Sequence, residues 1–326
     1  MGMRVLSTRR DLPGGGLARL ASRVELVYGE GASGPAEPSG LLDLAAGVDA
    51  ILCLGNDRVD AALLDAAGPS LEVVSLASMG FDLVDRQAAA ARGVVVTHTP
   101  GVLAETTADL AFALILMARR RLGSARDALH NGEWTEFRMG DFLGLDVHGA
   151  TLGLIGYGQI GRAVARRAAG FGMRVLHHTP SATDDELSRA VDLPTLLAES
   201  DVVSLHVPLT AATRQLIGPA ELRAMKPTAT LVNTARGSVV DEAAVLAALR
   251  DGTIHSAGLD VFAQEPRGTD VADLIAQSRL IALPHIGSAT EATRAAMVDL
   301  AVDNVLDVLA GLPARTPLPG TAALPR

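Results

Sequence analysis

Cysteine is nearly missing from this 326-residue chain, in which Cys53 stands alone. With no second thiol to pair with, an intramolecular disulfide and a thiolate-rich zinc site are both excluded. A reducing compartment is expected. Long hydrophobic runs are missing as well. The longest, Leu110 to Ala118, covers nine residues, well short of the ~20 that cross a bilayer as a helix. The opening Met-Gly-Met-Arg-Val-Leu leads directly into a strand-like segment without the regions of a signal peptide. A soluble cytoplasmic protein with no membrane partner is therefore expected. Nor is there a basic run. The 28 Lys and Arg are scattered among 37 Asp and Glu, leaving a net charge of −9, which argues against nucleic acid as a partner. No His/Cys/Asp spacing supports a metal site, and no short repeat or low-complexity tract occurs.

Short β-branched or leucine-rich runs alternate with alanine-rich stretches from end to end. The first third offers strands at 3–7, 24–28, 50–54, 71–75 and 94–97, with helix-like pieces at 15–21 and 61–67 between them. A second series of strands is expected at 151–155, 174–178, 201–207, 229–234, 255–261 and 280–283. The runs of the first third are apolar without polar alternation, as strands buried on both faces should be, and their alternation with helices predicts parallel sheets built from βαβ units. The spacing of Leu110, Ala111, Leu114 and Met117 predicts a helix over 103–121, with Arg119, Arg120 and Arg121 as its cationic, solvated end. Further helices are expected at 241–252, between Asp241 and Gly252, and at 290–309. At this length two domains are expected: 1–99, then 100–288, with 289–326 returning to the first. Trp134, the only tryptophan, reads as interface or core, and Cys53 as a small buried hydrophobe.

At the start of the second series, Thr151-Leu-Gly-Leu-Ile155 runs into Gly156-Tyr157-Gly158-Gln159-Ile160-Gly161 and then an alanine-rich helix. Gly156 suits a tight turn, Gly158 a close backbone approach to a pyrophosphate, and Gly161 close helix–strand packing. Among 33 glycines the spacing alone is a weak signal. The strand before it and the helix after it make a dinucleotide site the better reading, because the exposed amides and dipole of a helix start favour an anion. An NAD site normally carries an acid at the end of the second strand. Here that strand ends His177-His178-Thr179-Pro180-Ser181. Asp184, Asp185 and Glu186 come late and read better as the first turn of a following helix. A neutral strand end does not repel a 2′-phosphate, and it supplies no arginine to attract one, so the cofactor is NAD or NADP with a slight lean to NADP or dual use. His177 and His178, on opposite faces of a strand, make a poor metal pair and read as solvated loop histidines. His206 fits either a place near the cofactor or a strand-end histidine satisfied by backbone.

Three later segments put chemistry at strand ends: Val232-Asn233-Thr234-Ala235-Arg236-Gly237, Asp260-Val261-Phe262-Ala263-Gln264-Glu265-Pro266, and Leu283-Pro284-His285-Ile286-Gly287. Ligands of open parallel sheets lie beyond the carboxyl ends of the strands, so Arg236, Glu265 and His285 approach one edge. An arginine fork suits a substrate carboxylate, a histidine suits proton exchange with a carbonyl oxygen, and a carboxylate suits holding that histidine. Taken singly, Arg236 also fits a turn cap, Glu265 a surface ion pair and His285 a satisfied loop histidine.

With these motifs in order, together with Thr99-Pro100-Gly101-Val102-Leu103 leading to Thr107-Ala108-Asp109, and Leu205-His206-Val207-Pro208-Leu209-Thr210, the chain resembles the D-isomer-specific 2-hydroxyacid dehydrogenases. The resemblance covers nearly the whole length. It implies a Rossmann domain plus a discontinuous, flavodoxin-like α/β substrate domain, an active site in the cleft that closes on binding, and a homodimer. It further implies that Arg236 binds substrate and that Glu265 and His285 form the acid/base pair. Asp260 resembles the acid that contacts the nicotinamide carboxamide, while Thr107, Val207, Pro208, Thr234 and Ala235 resemble cofactor-lining positions, with Thr179 and Gly287 beside them. Ser78, Met79 and Gly80 match the loop whose amides hold the substrate carboxylate, although the common family form is Ser-Val-Gly. Glyoxylate and hydroxypyruvate are the expected substrates, and no appended regulatory domain is expected. A short-form 3-phosphoglycerate dehydrogenase and a non-catalytic, corepressor-like dinucleotide sensor are the alternatives.

Overall fold

The computed structural model describes residues 2–31, 34–35, 38–180, 183–265 and 277–321. Ser181 and Pro266, named above in two motifs, lie outside the described residues. The chain forms two compact units, one of residues 1–103 with 288–326 and the other of residues 104–287.

In the first unit, β1 (Arg4–Ser7), β2 (Glu25–Tyr28), β5 (Ala50–Cys53), β6 (Val73–Leu76) and β7 (Val95–Thr97) form a sheet in the order β2-β1-β5-β6-β7. A small antiparallel pair, β3 (Glu30–Gly31) and β4 (Gly34–Pro35), stands apart. All four pairings of the five-stranded sheet are parallel, and the order is that of a flavodoxin-like sheet. The inner strands β5 and β6 and the edge strand β7 are buried throughout, whereas the edge strand β2 is partly open, with Glu25 exposed. Val5, Leu52, Val73 and Val95 pack under the C-terminal helix Glu291–Leu309 through Val298, Val302, Val305 and Val308. Leu6, Ile51, Val74 and Val96 pack on the other side with Leu63 and Leu64 of the helix Ala61–Ala67. The C-terminal helix is tied down further by Ser75 Oγ, which donates to the Ala301 carbonyl at 2.9 Å. Cys53 is buried at the end of β5, and burial pushes its thiol pKa well up.

The second unit is a seven-stranded parallel sheet of β8 (Thr151–Ile155), β9 (Arg174–His178), β10 (Arg189–Ala190), β11 (Val202–Leu205), β12 (Thr230–Asn233), β13 (Ser256–Leu259) and β14 (Leu280–Ala282). The order β10-β9-β8-β11-β12-β13-β14 contains the 3-2-1-4-5-6 arrangement of a Rossmann domain, whose strand order reverses between its first and fourth strands. Here the reversal falls between β8 and β11. One face packs against the helices Ala104–Arg119 and Gln159–Ala169 through Leu152, Leu154, Val202 and Val232. The other carries Ile155, Val203, Leu205 and Leu231 with the helix Glu242–Asp251. That helix starts at Asp241, whose carboxylate accepts the Ala244 amide, and stops at Gly252 in the left-handed region.

Two expectations change. Arg119 does not end the helix on a solvated face. It is 5% exposed and donates to the carbonyls of Asp146, Asp201 and Thr228. A long guanidinium satisfies three loop carbonyls at once and so compensates its own desolvation. Trp134 is 55% exposed and therefore does not belong to the unit's core. No helix among the described residues is long and apolar enough to cross a membrane.

Candidate active site at the carboxyl edge of the seven-stranded sheet

At the end of β12, the buried Asn233 folds the chain back on itself. Its Oδ1 accepts the Ala235 amide at 3.0 Å and its Nδ2 donates to the Arg236 carbonyl at 2.9 Å, the side-chain turn chemistry that favours asparagine. The following Gly237 lies hard against the next loop. A Cβ there would sit 1.8 Å from the Phe262 carbonyl carbon. Arg236 emerges half-buried between these constraints and donates to the Ala235 carbonyl at 2.7 Å.

At the end of β13, Asp260 holds three successive amides. Its carbonyl accepts from His285 at 2.8 Å, its Oδ1 from Ile286 at 2.8 Å and its Oδ2 from Gly287 at 2.8 Å. These bonds keep His285 at φ +53°, a left-handed conformation that few non-glycine residues adopt. His285 Nδ1 meets Glu265 Oε2 at 2.5 Å, and Glu265 Oε1 accepts the Phe262 amide at 2.7 Å. With Nδ1 facing a carboxylate, Nε2 is the ring atom left for proton exchange. Half of the His285 side chain is exposed.

Burial alone would raise the Glu265 carboxyl pKa. The hydrogen bonds from His285 and the Phe262 amide and the nearby charges of His285 and Arg236 outweigh it, holding Glu265 below the usual range and ionised at neutral pH. Asp260 moves the other way. Its burial outweighs the two amide bonds and the His285 charge, so its carboxyl is raised. Glu242, which the motifs did not single out, accepts the Ala263 amide at 2.5 Å and is raised first by burial and then by the charge of Glu265. Its position at the start of a helix gave no signal that it braces the Phe262–Glu265 loop.

The glycine turn follows β8. Gly156 has φ +93°, and a Cβ there would lie 2.6 Å from the His206 carbonyl oxygen; a Cβ at Gly161 would lie 2.4 Å from the Gly156 carbonyl oxygen. Only glycine fits either place. Gly158 caps the helix Gln159–Ala169 without a side chain and has open space where a Cβ would stand. The amides of Gln159, Ile160 and Gly161 open that helix and have no intrahelical acceptor. Thr179 follows β9, Val207 and Pro208 follow β11, and Thr234 and Ala235 follow β12 at the same edge. From the helix Ala104–Arg119, Thr107 Oγ1 donates to the Gly287 carbonyl at 3.2 Å.

Two buried polar atoms at the ends of β11 and β12 have no partner among the described residues: Thr234 Oγ1 and His206 Nδ1. His206 is satisfied at Nε2 by the Ser204 hydroxyl, 2.9 Å away, and not by backbone. Desolvation pushes its pKa down to about 4, so the ring is neutral. A cradle open at Gly158 and two unmatched polar atoms at the carboxyl ends of β11 and β12 fit a dinucleotide.

Three readings around β9 are corrected. Asp184, Asp185 and Glu186 do not open a helix. Asp185 folds back onto Tyr157 and Arg162. His177 is not a solvated loop residue. It is 1% exposed and stacked on Tyr157, while His178 Nδ1 lies 3.1 Å from the Val191 carbonyl. Ser78, Met79 and Gly80 belong to the first unit, after β6. The carbonyls of Ser78 and Met79 accept from the Thr99 amide and from His98, whereas the amides of Met79 and Gly80 make no hydrogen bond among the described residues.

Comparison with known proteins agrees with this architecture. Residues 112–287 match the model of the D-isomer specific 2-hydroxyacid dehydrogenase NAD-binding domain. A glyoxylate reductase of Thermococcus litoralis is 42% identical over 306 residues, 91% of each chain. Among solved structures, a Thermus thermophilus protein superposes with a TM-score of 0.91 at 44% identity, covering 97% of this chain and all of that one. An NADPH-dependent glyoxylate/hydroxypyruvate reductase of Sinorhizobium meliloti, in complex with NADP and malonate, gives 0.85 at 37% identity, covering 100% of this chain and 99% of the other. The chain belongs to the D-isomer-specific 2-hydroxyacid dehydrogenases, oxidoreductases that work with NAD or NADP.

Proposed function

We propose that this enzyme reduces glyoxylate or hydroxypyruvate with NADH or NADPH, using Arg236 to hold the substrate carboxylate and the Glu265–His285 pair to supply the proton. The observation that carries the reading is the 2.5 Å contact between His285 Nδ1 and an ionised Glu265, with Arg236 close enough to act on the same carboxylate. The nicotinamide, when bound, supplies the hydride. His285 donates from Nε2 to the carbonyl oxygen as charge develops there, and takes the proton back in oxidation. Glu265 fixes the tautomer and stabilises the imidazolium, and Arg236 presents a planar fork to the carboxylate. Gly156, Gly158 and Gly161, with the amides of Gln159 and Ile160, hold the pyrophosphate. Thr107, Thr179, Val207, Pro208, Thr234, Ala235 and Gly287 line the rest of the dinucleotide site. Asp260 has both carboxylate oxygens on loop amides and keeps lone pairs for the carboxamide. The amides of Ser78, Met79 and Gly80 are assigned to the substrate carboxylate. Similarity to a glyoxylate reductase and to a glyoxylate/hydroxypyruvate reductase supports the choice of acids.

Loss of reduced-nicotinamide absorbance against glyoxylate, hydroxypyruvate, 2-ketogluconate and 3-phosphohydroxypyruvate, each with NADH and NADPH, tests the reading. Turnover of either of the first two acids supports it, and silence on both with the cofactor bound contradicts it.

A homodimer is part of the same proposal. Leu129, Trp134, Phe137, Met139 and Leu143, in and after the helix Leu122–His130, are 59%, 55%, 80%, 86% and 65% exposed. So many large apolar side chains in one segment mark an association surface, and a second copy is the occupant the family resemblance implies. Light scattering is expected to give twice the chain mass, falling to one chain in a Phe137→Asp/Met139→Glu variant. A monomeric wild type contradicts the dimer.

A further inference from the structure

Thr179 leaves the end of β9 without a charge, yet a charged pair stands next to it. Arg162, the residue after Gly161, contacts Asp185 Oδ2 at 2.5 Å and lies over the Tyr157 ring, 4.5 Å from its centroid. Tyr157, inside the glycine motif, donates its hydroxyl to Asp185 Oδ1 at 2.9 Å and stacks on His177 with centroids 4.0 Å apart. Asp185 Oδ1 also accepts the amides of Leu187 and Ser188, and His177 Nδ1 lies 2.9 Å from the Ser188 hydroxyl. These side chains join the glycine turn to the segment that follows β9. The Gly156 amide donates to the His178 carbonyl at 2.9 Å, so the strand end lies directly against the turn. In a sheet of this order the adenosine ribose is received there. At this strand end the His178 ring is engaged elsewhere, with Nδ1 3.1 Å from the Val191 carbonyl.

We propose that Arg162 is the cation that meets the 2′-phosphate of NADPH and that Asp185 is its internal competitor, so that this ion pair sets the ratio in which the site accepts NADPH and NADH. The proposal rests on reading this edge as the dinucleotide site. The side chains of Arg162 and Asp185 are 51% and 27% exposed, and an ion pair so open to water holds weakly. A phosphate dianion offers the guanidinium a stronger, bidentate partner and can take Arg162 from the carboxylate. Asp185 cannot retreat, because two amides and the Tyr157 hydroxyl fix it, so its charge stays beside the incoming phosphate and opposes it. NADH has no such phosphate and leaves the pair intact. The residue that discriminates the cofactors therefore comes from the loop and not from the strand end, six positions beyond Thr179.

Binding tests this without turnover. Wild type, Asp185→Asn and Arg162→Ala are titrated with NADH and NADPH by nicotinamide fluorescence and with adenosine 2′,5′-bisphosphate by calorimetry. Asp185→Asn is expected to tighten NADPH and the bisphosphate by about tenfold relative to NADH, and Arg162→Ala to weaken both by about tenfold relative to NADH. An unchanged NADPH to NADH ratio in Asp185→Asn overturns the competitor role. If that variant melts early, Arg162→Ala decides alone, since its side chain is half exposed, and equal effects on both nucleotides overturn the proposal. Failure of wild type to bind either nucleotide overturns the cofactor reading itself, and the proposal with it.

Discussion

His285→Gln is expected to slow keto-acid reduction by a factor on the order of 10² to 10⁴ while dinucleotide binding persists. Glutamine keeps a side chain of similar reach with a donor nitrogen, but it cannot release and regain a proton. Glu265 Oε1 keeps the Phe262 amide in either form. In wild type Glu265 also meets the imidazole at 2.5 Å, a contact that the variant replaces with an amide, while the Phe262 amide and the Arg236 charge remain. The substitution also keeps a flexible, unbranched side chain at φ +53°, where a β-branched residue would add strain. The backbone there is held by the three bonds from Asp260, which do not involve the ring, so the loop should survive. Steady-state rates with a saturating keto acid and fluorescence titration with NADH check both halves. Near-normal turnover removes His285 from the proton-donating role.

Arg236→Ala should lower kcat/KM for the keto acid by roughly 10- to 150-fold, the equivalent of losing a hydrogen-bonded charge partner worth about 1.5–3 kcal/mol. The effect should fall mainly on KM, because the carboxylate is bound in ground and transition states alike. Arg236→Lys should recover only part of it, since an ammonium is a point charge and not a planar fork. Because Arg236 also donates to the Ala235 carbonyl, circular dichroism must show the fold unchanged. Unaltered KM and kcat in the alanine variant would contradict the carboxylate role.

Much of the fold can be read from local pattern. Runs such as Val202–Leu205 and Thr230–Asn233 are buried throughout, and a strand covered on both faces reads as a mainly apolar run. The glycine turn was legible for a related reason. Gly156 and Gly161 answer to backbone approaches of 2.6 and 2.4 Å, which no other residue type tolerates. What escaped was decided by distant partners. Arg119 reads as a solvated helix end until three carbonyls from other loops close on it. Asp185 reads as the start of a helix until the turn 28 residues earlier supplies Tyr157. The two-residue β10 carries too little pattern to be seen, although Asp192 just beyond it caps the next helix by accepting the Thr195 amide. The site shows the same division. Residue types and order pointed to Arg236, Glu265 and His285, whereas the grip of Asp260 on three successive amides and the bracing by Glu242 exist only in the folded chain.

The most direct test of the account follows the product. Wild-type enzyme is supplied with hydroxypyruvate and a reduced nicotinamide cofactor, and the glycerate formed is resolved by chirality. The account predicts D-glycerate, one molecule for each cofactor oxidised. L-glycerate would contradict it, as would cofactor binding with no turnover of either hydroxypyruvate or glyoxylate.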